Sequence, residues 1–132
     1  MEPALMSFAA PVEPLLKTAA AALAEAQAHF NARRGRPALT AAYVACAHAA
    51  HAFWRATRRP GQAGLYPVRP ADWHGGRAGK TLVGFYTQFG HVARRVQADP
   101  LTHVNIEEVA NWLRQAGWFV ERIGRLARRM AA

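Results

Sequence analysis

The chain has 132 residues, 52% of them hydrophobic, with one cysteine and a formal net charge of +9. That length suits a single domain able to bury a core without staples, and four Trp, six Phe and three Tyr exclude a disordered chain. Cys46 alone excludes an internal disulfide, and no Cys/His cluster has structural-zinc spacing, so neither a metal nor another cofactor is expected.

The chain reads as one helical domain over 1–132. Residues 1–11 are expected to be a flexible N-terminus. "MEPALMSFAAPVEPLL" has no basic n-region and carries Glu2 and Glu13, so it does not read as a signal peptide. The spacing predicts a first helix over 12–33, with Val12, Leu16, Ala19, Leu23, Ala26 and Phe30 recurring at steps of three and four. "RRGRP" (33–37) reads as a tight turn in which Gly35 ends that helix and Pro37 opens the next. A second helix is predicted over 38–58, with Leu39, Tyr43, Cys46, Ala50, Phe53 and Trp54 on its apolar face. Its run "ALTAAYVACAHAAHAFW" is mostly alanine, holds two His and falls short of a membrane span.

Between residues 58 and 79, "RRPGQAGLYPVRPADWHGGRAG" holds three Pro and five Gly. This long loop exceeds a simple bundle connection, and loops of that kind carry function or mobility. A third helix is predicted over 80–98, with Leu82, Phe85, Tyr86, Phe89, Val92, Ala93 and Val96 on one side. "DPLTH" (99–103) is a short turn. The fourth helix, 106–130, carries Ile106, Val109, Leu113, Ala116, Val120, Ile123, Ala127 and Met130 as a seam. Asn105 can cap it, with Glu108 three residues later as a capping box requires. Glu107 and Glu108 at its start and Arg125, Arg128 and Arg129 at its end suit the macrodipole.

These elements define an all-α fold, an antiparallel four-helix bundle with one long Pro/Gly-rich loop between helices 2 and 3. Alanine on helices 1 and 2 implies close packing there. The bulky aromatics of helices 2, 3 and 4 would fill the wider side. A cytoplasmic protein outside the membrane is expected.

Several motifs invite a chemical reading. "HGGRAGKT" resembles a phosphate-binding loop, but the first Gly of that motif should stand at position 74, where His74 is found. The motif also needs a buried strand before it, and "LYPVRPADW" has two prolines there. What survives is an anion grip at the start of the third helix, with Arg77 and Lys80 beside its backbone N–H groups. "RRGRP" contains the Arg-Gly-Arg-Pro core of an AT-hook, which needs an extended segment rather than a helix boundary. His48, His51 and His91 fall opposite the apolar stripes, toward solvent. No Glu-x-x-His pairs of a diiron bundle are present.

Charge gives the best functional signal. Arg114, Trp118, Arg122, Arg125, Arg128 and Arg129 fall within about a third of the circumference of the fourth helix, opposite its seam. Glu121 interrupts that face and can pair with Arg125. In an up-down-up-down bundle the 58–79 loop lies at the same end as the last turns of this helix. That end collects Arg55, Arg58, Arg59, Arg69, Trp73, Arg77 and Lys80. Abundant Ala and Arg also accompany a GC-rich genome, so charge alone decides nothing. The convergence at one end points to an acidic partner. The expected function is non-enzymatic binding of nucleic acid, DNA or RNA, or of a nucleoprotein, mainly through phosphate contacts. The alternative is a helical adaptor or inhibitor, such as an accessory protein of a phage or mobile element, whose target is an acidic or other protein. There Tyr66 and Trp73 would be the hot spot. An enzyme using His74 would lack a paired nucleophile or carboxylate.

Overall fold

The computed structural model describes residues 12–57 and 76–131, with only the backbone described at 57 and 76–80. Four helices make up nearly all of it: α1 (Val12–Asn31), α2 (Gly35–Thr57), α3 (Gly76–Ala98) and α4 (Ile106–Ala131). There is no strand among the described residues, and the helices pack as a bundle. None of these helices is long and apolar enough to cross a membrane. The expected flexible segment 1–11 and most of the 58–79 loop lie outside the described residues.

The helix boundaries follow from identifiable hydrogen bonds. At the end of α1 the Arg33 N–H donates to the Phe30 carbonyl (2.9 Å) and the Arg34 N–H to the His29 carbonyl (2.8 Å). This is a Schellman closure, and its left-handed residue is Arg33, with φ 60°. The sequence reading gave that role to Gly35. Gly35 instead begins α2, because the turn closes two residues earlier and the Arg34 carbonyl already accepts the Ala38 N–H (3.1 Å). Gly35 has a different reason to lack a side chain. A Cβ there would come within 3.2 Å of Val104 Cγ1, so the segment entering α4 lies directly against it. Pro37 falls in the first turn, where no intrahelical donor is required.

At the start of α4, Asn105 Oδ1 accepts the Glu107 N–H (2.8 Å) and the Asn105 carbonyl accepts the Val109 N–H (3.0 Å). The expected cap is therefore in place. The turn before it is closed by Asp99, whose Oδ1 accepts the Leu101 N–H (2.9 Å) and whose carbonyl accepts the Thr102 N–H (3.0 Å).

Arg36 ties the two halves of the bundle together, which its place in "RRGRP" did not suggest. From the first turn of α2 its guanidinium donates to the carbonyls of Val96 (2.6 Å), Asp99 (3.1 Å), Pro100 (2.8 Å) and Thr102. The last turn of α3 leaves carbonyls without intrahelical partners, and a cation there suits both the geometry and the dipole. With this side chain engaged and its backbone helical, "RRGRP" does not have the extended form of an AT-hook.

α2 is the central helix. Ala38, Leu39, Ala42, Cys46, Ala49, Ala50, Phe53 and Trp54 are among its buried residues. α1 presents Val12, Leu16, Ala19, Ala22 and Ala26, and its backbone runs close to α2 along most of its length. α3 meets α2 and α4 at far fewer backbone positions, because rings stand between them. Tyr86 stacks between Tyr43 (5.7 Å) and Phe119 (5.5 Å), and Phe89 stacks on Trp112 at 4.7 Å.

The seam of α4 is shifted from its expected line. Phe119, not part of that line, is fully buried, while Val120 is only partly buried and Met130 is 50% exposed. α4 packs against α1 and α2 on one side and α3 on the other, which widens its buried arc toward Phe85 and Tyr86.

Candidate anion-binding cleft

Side-chain contacts fix which helix ends meet. Leu16 lies against Gly124, and Glu13 is bonded to Arg128, so the start of α1 meets the end of α4. Gly35 lies against Val104 and Val109, which puts the start of α2 beside the start of α4. The early part of α3 reaches the C-terminal half of α4, where a cleft of about 270 Å³ opens between them.

The cleft has two kinds of wall. Leu82 from α3 and Leu126 from α4 give it an apolar floor, with Trp118 beside them. Arg122, Arg125 and Arg129 line its mouth. Their spacing explains the convergence: residues three and four apart on a helix share a face, so 118, 122, 125 and 129 form one strip. Thr81 completes the lining from α3. Leu82 is buried, whereas the three arginines are exposed.

Trp118 is half-buried, contrary to its expected place on an open outer face. Its ring meets Phe85 edge-on at 6.4 Å, and the Arg122 guanidinium carbon stands 5.6 Å from its centroid. The pair is a cation–π contact at the cleft mouth. Arg125 is ion-paired to Glu121 (3.5 Å), as the i,i+4 spacing implied, and both side chains are about two-thirds exposed. Such a pair is weak in water and does not remove Arg125 from play.

The remaining predicted residues fall elsewhere. Arg128 turns toward α1, where its Nε and Nη2 donate to the two oxygens of Glu13 (2.8 and 3.3 Å). That bond, with a smaller direct charge attraction, lowers the Glu13 pKa and raises that of Arg128. Arg114 donates to Asn111 on its own helix. Eight residues of helix separate it from Arg122, about 12 Å along the axis. Arg55 lies partly buried in the last turn of α2. Arg77 and Lys80 fall in the opening turns of α3. Arg58, Arg59, Arg69 and Trp73 lie outside the described residues, as do Tyr66 and His74.

His48 and His51 are partly buried rather than turned to solvent, because α2 is flanked on several sides. The His51 ring lies 5.8 Å from Trp54. Burial lowers its pKa first, and the charges of Arg55 and His48 lower it further. Burial pushes the Cys46 thiol strongly upward, so it is an inert part of the core. Among the described residues no group of three or more His, Cys, Asp or Glu is placed to hold a metal ion.

The opposite end of the bundle is basic too, with Arg33, Arg34, Arg94 and Arg95 exposed, but Asp99, Glu107 and Glu108 stand among them. The α3–α4 cleft is lined by three arginines, whereas three other cavities among the described residues are lined by one each, Arg95, Arg36 and Arg33. No protein-family model, curated protein or solved structure matches this chain.

Proposed function

We propose that the chain is a non-enzymatic nucleic-acid-binding protein of the cytoplasm that grips phosphate at the end of the bundle where α3 begins and α4 finishes. The observation that carries this reading is the strip of Arg122, Arg125 and Arg129 at the mouth of one cleft. Arginine presents a planar fork of donors suited to phosphate oxygens. Three such groups at one mouth repel one another, with only Arg125 among them ion-paired, to Glu121, among the described residues, and an anionic ligand relieves that repulsion.

The test is a salt titration of binding to labelled oligonucleotides. If roughly five phosphates are contacted, the log–log slope should lie near −4. Replacing Arg122, Arg125 and Arg129 together with Glu should abolish binding and leave the helical circular dichroism and the thermal midpoint nearly unchanged, since all three are exposed. Replacing Arg94 and Arg95 with Ala, at the other end, should weaken binding much less. Absence of salt-sensitive binding in the wild type would overturn the proposal and favour a protein partner.

A further inference from the structure

A surface that only reads a duplex backbone needs charge along a ridge or groove. It has no use for a hydrophobic hollow beneath the charge. This cleft has one. Leu82, Leu126 and Trp118 line it alongside the arginines, with Leu82 buried, Leu126 and Trp118 partly buried and the arginines exposed. Its volume, about 270 Å³, falls just below the roughly 300–1,000 Å³ of sites that enclose a drug-sized ligand. A space of that size is on the scale of one ring system rather than a stack of base pairs. The Arg122–Trp118 pair at the rim adds a planar guanidinium backed by an indole. Such surfaces stack on unpaired bases, since every base has a π-face whatever its sequence.

From this combination we infer that the cleft takes one unstacked nucleotide of a single strand. The base lies over Leu82 and Leu126 against the Arg122–Trp118 pair, and the adjoining phosphates meet Arg125 and Arg129. The inference rests on the proposed function and deepens it. Single-stranded nucleic acid is the preferred ligand, because bases in a duplex are paired and stacked away from any such hollow. No sequence readout follows, as apolar and stacking contacts discriminate little among bases.

Three ligands of equal length separate the possibilities: a single strand, the matching duplex, and a single strand whose bases are replaced by abasic sugars. At one fixed ionic strength the intact single strand should bind the wild type about tenfold or more tightly than the abasic strand, which has the same charge. It should also bind more tightly than the duplex. Arg122→Lys keeps the charge and removes the plane. It should reduce the preference for the intact over the abasic strand several-fold. Arg122 is exposed, so folding is not at issue. A second variant, Leu126→Gln, replaces an apolar lining residue with a polar one and should reduce the same preference with all arginines retained. Equal affinity for intact and abasic strands overturns the base-binding inference and leaves the phosphate grip standing. Salt-insensitive or absent binding to all three overturns both.

Discussion

Two sides of this bundle solve the packing problem in opposite ways. Between α1 and α2 the buried residues are mostly alanine, such as Ala19, Ala26, Ala42 and Ala49, and the two backbones run close together. Around α3 the filling is aromatic, and Phe85, Tyr86 and Phe89 hold its backbone away from α2 and α4. Interaxial distance follows side-chain size. The alanine side gains stability from many small contacts over a long interface. The aromatic side gains it from a few large rings. The cleft opens on this aromatic side, between the early turns of α3 and the C-terminal half of α4.

Removing a ring should therefore cost the most. Phe119 is fully buried and meets both Phe85 and Tyr86 at 5.5 Å. Phe119→Ala should destabilise the protein by about 3–5 kcal/mol in urea unfolding. A loss below about 1 kcal/mol would show that α3 closes down on the cavity and is not held off by rings. Next comes Arg36, the strap from the alanine side to the turn of the aromatic side. Arg36→Ala leaves the carbonyls of Val96 and Thr102, at part-buried sites, without their charged donor. A loss of about 2–3 kcal/mol is expected. Arg36→Lys should recover only a fraction, because an ammonium cannot serve four carbonyls at once.

The alanine side should fail by the opposite route. Ala19 is fully buried on α1, which packs on α2 and α4. Ala19→Leu inserts atoms where the backbones leave no room and should cost about 1–3 kcal/mol. The same substitution at exposed Ala21 is the control and should be close to neutral. Stability unchanged by Ala19→Leu would mean that the alanine interface is loose.

Most of this architecture was legible in the sequence, because three-and-four spacing reports a buried face directly. Helix existence and the contrast between alanine and aromatic sides both followed from it. Boundaries did not. Gly35 looks like a C-cap by composition, yet Arg33 takes the left-handed position, since tertiary contact with Val104 governs where a missing Cβ is needed. Arg36 was hidden because its partners lie sixty or more residues away. The arginine strip of α4 was visible, but not that it faces α3 across a cleft with an apolar floor. A helical wheel gives angles on one helix and says nothing about what stands opposite. Arg128 shared the predicted face and was separated from the others by Glu13, a residue at the other end of the sequence.

That last contact supplies the smallest effect and the sharpest comparison within the basic end. Both side chains of the Glu13–Arg128 pair are more than half exposed, so its contribution to stability is slight. Its sign is fixed. The bond from Arg128, supported by the charges of Arg128 and Lys17, holds the Glu13 carboxyl below its ordinary value. A group with a depressed folded pKa stabilises the fold above its unfolded pKa, and that contribution is lost as pH falls through the folded value. The thermal midpoint of Glu13→Gln should therefore lie slightly below that of the wild type at neutral pH. The difference should close as the buffer is acidified below about pH 4, the ordinary range for a glutamate. The same variant releases Arg128 at neutral pH. Oligonucleotide binding at low salt should then strengthen and its salt dependence steepen, while Arg128→Ala in the otherwise wild-type chain should change binding little. If Arg128→Ala proves as damaging as Arg125→Ala, the division of the arginines between cleft and α1 is wrong, and the whole outer face of α4 contacts the ligand.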